Sequence, residues 1–295
     1  MNNPFQKTAQ NELVKYLDKL FFFSNGSNDY TEELFLSALG NTYVETVDGR
    51  SDSLHLKIRQ CNWENFLDVY QETIKSYIKR LKIKRAILAF DTTSEPFYGK
   101  TTNMYTIGCE PINGYSNEYK YLVVSIINDN KEEKIPITCI PITYGFDYYK
   151  ALKIMLEYSN KLFKIKLVLL DRGFYSVDVV RALRNYKYIM LVPKLNEQIK
   201  YYNNIIIKQA HFYHKIKNEE ITRIVLVRDK SDKFTWSFAT NIIFNEYYDY
   251  VNYYKKRWRI ETNFRVEDEA KIKTKSIHQI IRYFYFTTSL LLHSI

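Results

Sequence analysis

Residues 164–174 read KIKLVLLDRGF, an apolar run of strand length that ends in an aspartate and a turn. Residues 85–91, RAILAFD, show the same arrangement earlier in the chain. Both runs are too short for a helix and indicate buried strands. A carboxylate at the end of a buried strand is costly unless it is hydrated, paired or bound to metal. Asp91 and Asp171 are therefore the first candidate functional residues.

The segments around these two strands predict a mixed sheet. Further strands are indicated at 119–129, 134–143 and 187–194, and helices at 147–162 and 176–186. The predicted order is three strands, a helix, a strand, a helix and a strand. This is the order of an RNase H-like α/β fold, a mixed sheet with flanking helices. The first and fourth strands are neighbours in such a sheet, so we expect Asp91 and Asp171 to meet.

The rest of the chain predicts two domains. Helical periodicity indicates a small helical N-terminal region over 1–84, followed by an RNase H-like domain over 85–295. Within that domain, strand-like pieces at about 195–244 predict a β-rich insertion, and a strongly helical segment follows at about 246–270. An apolar helix at 278–295 stops without a polar cap, a pattern that a truncated chain would show.

Charge and composition favour a polyanionic partner. Lys and Arg number 43 against 33 Asp and Glu, a net charge of +10, which favours nucleic acid. A solvated lysine-rich face, or an AT-rich genome, would give a similar composition. No stretch approaches the roughly 20 apolar residues of a membrane span, and the first residues lack a secretory signal. A cytoplasmic protein without a membrane partner is expected.

A third group of charged residues lies in YYKKRWRIETNFR at 253–265. Tyr254, Arg257, Glu261 and Arg265 recur at spacings of three, four and four, and so share one helix face. Glu261 could complete a three-carboxylate site for two Mg²⁺ ions, with Arg257 clamping phosphate. Alternatively, Arg257 and Glu261 form a surface ion pair worth about 0.3–0.5 kcal/mol, and strand-end aspartates are ordinary turn formers.

In these motifs the chain resembles the DDE transposases of bacterial and archaeal insertion sequences. In the group concerned, the third region reads Tyr, two residues, Arg, three residues, Glu, six residues, Lys, and Tyr254, Arg257 and Glu261 match it. Other similar segments are DTTSEPFYGK at 91–100, DRGFYS at 171–176 and FATN at 238–241. The resemblance covers residues from about 85 to 290.

This resemblance implies cut-and-paste DNA transposition, in which the enzyme cleaves at transposon ends and transfers the freed strand into target DNA. It implies Asp91, Asp171 and Glu261 as catalytic residues and as ligands of two Mg²⁺ ions, for which Mn²⁺ can substitute. The implied partners are double-stranded DNA, as terminal inverted repeats and target, and a second copy of the chain in a homodimeric synaptic complex. The implied location is the prokaryotic nucleoid.

Several residues near these motifs are expected to contact DNA. They are Tyr254, Arg257, Trp258, Arg265, Arg172, Lys194 and Lys271. Trp258 fits base stacking and core packing equally well, whereas Trp236 favours core packing. One position departs from the signature, because its lysine falls at Asp268. Either Arg265, or Lys271 and Lys273, then hold the phosphate, or this copy of the protein is impaired.

Two other functions are compatible with the same residues. An RNase H-like nuclease would use the three carboxylates for hydrolysis without strand joining. An inactive or domesticated DNA-binding relic would not need them. Strand joining and metal binding therefore discriminate among the three hypotheses.

Overall fold

The structure is a computed structural model in which nine segments of the chain are described. They are residues 4–21, 30–47, 49–100, 102–127, 134–193, 209–217, 219–228, 235–257 and 271–294.

Among the residues that the structure describes, four α-helices precede the sheet, as the helical periodicity of the N-terminal region predicted. They are α1 (Pro4–Phe21), α2 (Thr31–Gly40), α3 (Ser51–Arg59) and α4 (Trp63–Arg80). The apolar face of α4 is built from Phe66, Tyr70, Ile74 and Ile78, which recur every four residues and are all buried. Their burial stabilises the packing of α4 against the rest of the core, because apolar surface leaves water.

In the described segments, nine strands form one sheet. They are β1 (Arg85–Phe97), β2 (Thr106–Ile112), β3 (Tyr115–Ile127), β4 (Lys134–Ile142), β5 (Lys164–Leu170), β6 (Tyr188–Leu191), β7 (Gln209–Ile216), β8 (Glu220–Arg228) and β9 (Thr235–Thr240). The strand order is β2-β3-β1-β5-β6-β9-β8-β7, and β4 also pairs with β3.

The sheet is RNase H-like, as predicted. Strands β1, β3 and β4 are antiparallel neighbours, whereas β5 runs parallel to β1 and β6 parallel to β5. Parallel neighbours need crossover connections, which are usually helical. These are α5 (Tyr148–Leu162), before β5, and α6 (Val177–Ala182), between β5 and β6. The side chain of Asp147 caps α5 by accepting a hydrogen bond from the Lys150 amide at 2.9 Å.

The β-rich insertion extends this sheet instead of forming a separate layer. Its strands β7, β8 and β9 are antiparallel, and β9 pairs with β6 through contacts such as Met190 with Ala239. Buried side chains of β8 and β9, including Val225 and Phe238, continue the apolar layer formed by Leu169 on β5. The insertion therefore provides a continuous apolar surface beside the parallel strands.

Two features of the sheet differ from the sequence prediction. The prediction of a turn directly after Asp91 is wrong, because β1 continues to Phe97 in an unbroken antiparallel register with β3. Strand β2 was not predicted. It pairs with β3 across a turn at Asn113 and Gly114, whose φ angles of 48° and 86° suit the Asn-Gly pair.

Two further helices pack against the sheet and the N-terminal region. Helix α7 is described over residues 249–257, and α8 spans Gln279–Ser294. The N-terminal helices share one core with α8, where the Tyr16 hydroxyl lies 3.3 Å from that of Thr287. The predicted division of the chain at residue 84 stays a prediction. Within the described segments, no helix is both long and apolar enough to cross a membrane.

Candidate active site

The two predicted aspartates lie side by side at one end of the parallel strand pair. The β1–β5 ladder ends with Phe90 opposite Leu170, and the next residue on each strand is an aspartate. Asp171 directly follows β5, and its Oδ1 accepts the Arg172 amide at 2.7 Å. Asp91 remains within β1, and its Oδ1 accepts the Thr92 amide at 2.9 Å. The predicted meeting of the two carboxylates is therefore seen in the structure.

The guanidinium of Arg257 lies between these carboxylates. Its Nη1 is 3.3 Å from Oδ2 of Asp91, and its Nη2 is 3.6 Å from Oδ1 of Asp171. Tyr254, one turn earlier on α7, donates its hydroxyl to Asp171 Oδ1 at 3.2 Å and accepts Arg257 Nε at 3.3 Å. The Arg257 side chain is 2% exposed. Arg257 is therefore not a surface residue, whereas Glu261, its partner in the alternative ion pair, lies outside the described residues.

The electrostatic environment couples these groups. Burial raises the pKa of the Asp91 carboxyl above its usual 3.8, although Arg257 and the Thr92 amide oppose that shift. Burial disfavours the charged form of Arg257, but Tyr254, Asp91 and Asp171 together hold the pKa of its guanidinium above the ordinary value. The Arg257 guanidinium therefore stays protonated beside the Asp91 carboxyl group, whose charged form is disfavoured by burial.

Helix α7 positions Tyr254 and Arg257 because its apolar face is anchored in the sheet. The Tyr254 ring centroid lies 5.2 Å from that of Phe238 and 6.1 Å from that of Trp236, both on β9. Trp236 is itself buried and stacks on Phe238, which agrees with its predicted core position. The β-rich insertion thus holds the helix that carries the arginine.

The other predicted site residues divide into two groups. Glu261, Trp258, Arg265 and Lys194, together with Asp268, lie outside the described residues. Of those described, Arg172 is exposed directly beside Asp171. Lys271 lies elsewhere, because its Nζ pairs with Glu95 Oε1 at 2.9 Å.

One contact near Asp171 was not predicted from the sequence. The hydroxyl of Tyr175 lies 2.6 Å from Nδ1 of His214 on β7, and the two rings stack. Tyr175 ends the single 3-10 turn that follows Asp171, so this contact ties that turn to the insertion. Residue types alone do not reveal such a pair, because the partners are 39 positions apart.

The later part of the chain is similar to the family that the sequence motifs resemble. Residues 148–282 match the family described as Transposase DDE domain. The matched stretch is less than half of the chain and includes the positions of Asp171, Tyr254, Arg257 and Glu261.

Among solved structures, the chain is similar to a piggyBac transposase seen in a cryo-EM structure of its synaptic complex with hairpin DNA. The TM-score is 0.53 at 12% identity, over 100% of this chain and 66% of that one. This chain thus spans just under two thirds of the length of that transposase. A Drosophila P element transposase in a strand transfer complex matches with a TM-score of 0.21 at 13% identity, over 61% and 42% of the two chains. A comparison with curated proteins gave no match.

The two aspartates have the chemistry that a divalent cation requires. Transposase DDE domains are metal-dependent, and hard divalent ions prefer carboxylate oxygens. One cationic group, the Arg257 guanidinium, already contacts both Asp91 and Asp171, so the two carboxylates are close enough to share a charge. The described segments hold no cluster of three His, Cys, Asp or Glu residues. The predicted third ligand, Glu261, lies outside them.

Proposed function

We propose that this protein is a DNA transposase that cleaves transposon ends and joins them to target DNA. The observation that carries the proposal is the placement of Asp91 and Asp171 around buried Arg257, in a chain whose residues 148–282 match the Transposase DDE domain family. A fold likeness alone would not define the reaction, because one fold can host unrelated activities. The paired carboxylates supply the chemical argument.

Asp91, Asp171 and Glu261 are the proposed ligands of two Mg²⁺ ions, which Mn²⁺ can replace. When bound, such ions stabilise negative charge on the attacking and leaving oxygens of a phosphoryl transfer. The strands β1 and β5 fix the two aspartates, and the backbone amides of Thr92 and Arg172 orient one oxygen of each. Oδ2 of Asp91 contacts Arg257 Nη1, so a cation bound there would compete with the guanidinium for that oxygen.

Arg257 has two proposed roles. Without metal, its guanidinium offsets the repulsion between Asp91 and Asp171, which otherwise would face each other at low solvent exposure. If Asp91 and Asp171 bind metal ions instead, the N–H donors of the Arg257 guanidinium can hold a phosphate of the DNA backbone. Tyr254 positions the guanidinium through Nε in either case.

The proposed partners are the terminal inverted repeats of a transposon and the target DNA. The net charge of +10 supports a polyanionic partner, and the similar piggyBac transposase was solved with DNA in a synaptic complex. We propose a homodimer, since two transposon ends must be paired, and a location at the prokaryotic nucleoid. The helices before residue 84 are the proposed reader of the terminal repeats.

The test is a cleavage and strand-transfer assay with Mg²⁺ or Mn²⁺ on the DNA that flanks the gene. Asp91→Asn, Asp171→Asn and Glu261→Gln are compared with the parent protein. Asp178→Asn is the matched control, because it removes one carboxylate at an exposed position of α6. Joined products from the parent and the control, but from none of the three variants, are the expected result.

Two other outcomes would replace the proposal. Metal-dependent cleavage without joining indicates an RNase H-like nuclease. DNA binding with no metal-dependent chemistry in the parent indicates an inactive or domesticated DNA-binding relic, a possibility raised by Asp268 at the signature lysine position.

A further inference from the structure

A cleft of about 690 Å³ beside the later half of β1 is rich in cationic side chains. Its charged lining residues are Lys271, Lys273, Lys275, Arg282 and Glu95. The cleft thus contains four cations and one carboxylate. The three lysines belong to a single segment, KIKTK at 271–275.

This segment is held in an extended conformation by the N-terminal region. Lys273 forms a parallel bridge with Tyr43, and its carbonyl accepts the Val44 amide at 2.9 Å. The Lys275 amide donates to Glu45 Oε1 at 2.9 Å. Alternate side chains of an extended chain recur about every 6.7 Å. The lysines therefore form a regular row of charges, at a spacing similar to that of phosphates along an extended nucleic-acid strand.

The carboxylate in the cleft is already neutralised. Glu95 is 6% exposed, and its oxygens lie 2.9 Å from Lys271 Nζ and 3.7 Å from Arg282 Nη1. In the described part of the chain, neither Lys273 nor Lys275 forms a salt bridge. The cleft consequently keeps positive charge for an anionic ligand.

Two exposed aromatic rings line the same cleft. Tyr43 is 43% exposed, and Nζ of Lys275 lies 5.5 Å from its ring centroid. Tyr98, which also lines the cleft, is 64% exposed. Exposed rings beside a row of cations are typical of single-strand nucleic-acid sites, because unpaired bases stack on the rings while phosphates meet the cations. A site for duplex backbone would need only the cations.

The cleft is also aligned with the candidate active site. The register between β1 and β3 is unbroken from Ile87 to Phe97, so Glu95 lies on the same face of β1 as Asp91. The two residues are four positions apart, or about 13 Å along the strand. A DNA strand in the cleft could therefore continue along this face to the paired aspartates.

We propose that this cleft binds an unpaired DNA strand next to the phosphate that reacts. Lys273 and Lys275 contact its phosphates, Tyr43 stacks on one of its bases, and Lys271 and Arg282 keep Glu95 neutralised. This assignment rests on the proposed function, because it supplies the site for single-stranded DNA near a cleaved end. Its test can nevertheless be made without catalysis.

The experiment is fluorescence anisotropy in EDTA with a short labelled single strand, an abasic strand of equal length, and a duplex. Lys273→Ala/Lys275→Ala should weaken binding of both strands about tenfold and lower the salt slope by about 1.4, or 0.7 for each lost phosphate contact. Tyr43→Leu should weaken only the strand that carries bases, by about fivefold or more. Tyr43→Phe, which keeps the ring, should bind like the parent.

Matched controls separate this site from general charge. Lys161→Ala/Lys164→Ala removes two exposed lysines near the opposite end of β5 from Asp171, and should leave the affinity nearly unchanged. Equal weakening by that pair, equal effects of Tyr43→Leu on both strands, or a loss of duplex affinity in Tyr43→Leu as large as the loss for the single strand would each overturn the proposal. Asp91→Asn should bind the single strand at least as tightly as the parent. A loss of catalysis is therefore distinguishable from a loss of strand binding in the cleft.

Discussion

The hydroxyl of Tyr254 donates to Oδ1 of Asp171 at 3.2 Å, which joins α7 to the end of β5. The same hydroxyl accepts Nε of Arg257 at 3.3 Å. One phenol therefore orients both a proposed metal ligand and the cation beside it. Since Tyr254 is buried against β9, its ring has little freedom to move away.

Tyr254→Phe should weaken Mn²⁺ binding about two- to tenfold, since a hydrogen bond of this kind contributes about 0.5–1.5 kcal/mol net. The ring remains, so core packing against Phe238 should be preserved. Isothermal titration calorimetry with Mn²⁺ measures the affinity, and thermal unfolding without metal reports the stability. A lower affinity with a nearly unchanged melting temperature is the expected combination.

Tyr250→Phe provides the matched control for this substitution. Tyr250 is a buried tyrosine one turn earlier on the same helix, and its hydroxyl contacts the backbone of Ile242 and Phe244 instead of an aspartate. It should lose some stability without losing metal affinity. Similar losses of Mn²⁺ affinity in both variants would show that the packing of α7, and not the contact with Asp171, determines the metal affinity.

The meeting of Asp91 and Asp171 could be predicted from the sequence because it depends on element order. Two buried strands separated by an antiparallel pair and a helix become parallel neighbours in an RNase H-like sheet. The end of β1 could not be placed in the same way. Residues beyond Asp91 are polar and turn-like, and they stay extended because β3 pairs with them as far as Phe97.

The cleft beside Glu95 shows a second limit of prediction from one sequence. The contact of Lys271 with Glu95 joins residues 176 positions apart, and no periodicity indicates such a pair. The β2–β3 hairpin is a different case. Its Asn113-Gly114 pair is a strong hairpin signal that the sequence contains and that the prediction overlooked.

Arg257→Met should destabilise the metal-free protein by about 1–3 kcal/mol, because two neighbouring carboxylates lose their shared cation. This is less than the cost of breaking a fully buried pair, since the side chains of Asp91 and Asp171 remain 18% and 37% exposed. Urea unfolding in EDTA measures the loss. Mn²⁺ should then stabilise the variant more than it stabilises the parent, because the ion replaces the missing charge.

Arg172→Met is the control for the arginine prediction. Arg172 is adjacent to Asp171 in sequence but exposed, so its side chain should contribute little to stability. Its substitution should leave the urea midpoint in EDTA nearly unchanged. If Mn²⁺ stabilised Arg257→Met and the parent equally, the guanidinium and the metal would not compete for the same carboxylates.

Glu220→Gln should lower stability at neutral pH and have progressively less effect in acid. Glu220 begins β8, and Arg184 binds it with Nε at 3.1 Å and Nη2 at 2.8 Å. The hydrogen bonds from Arg184 hold the pKa of this carboxyl below its usual 4.5, with burial opposing and Arg181 assisting. A depressed pKa means that the stabilisation is fully present above pH 4.5 and is lost as pH falls through the lowered value.

Thermal unfolding of the parent and Glu220→Gln from pH 7 to pH 3 measures this effect. The melting temperatures of the two proteins should differ at pH 7 and become equal towards pH 3. Glu219→Gln is the adjacent control, because Glu219 pairs with Arg181 at 3.1 Å but is 55% exposed, and exposed pairs contribute little. A constant difference between parent and Glu220→Gln across the whole range would mean that side-chain packing, and not ionisation, accounts for the loss. If the melting temperature of Glu220→Gln, and not that of Glu219→Gln, approaches the parent value only in acid, the ion pair of Glu220 with Arg184 stabilises the packing of the inserted strands against the segment after β5.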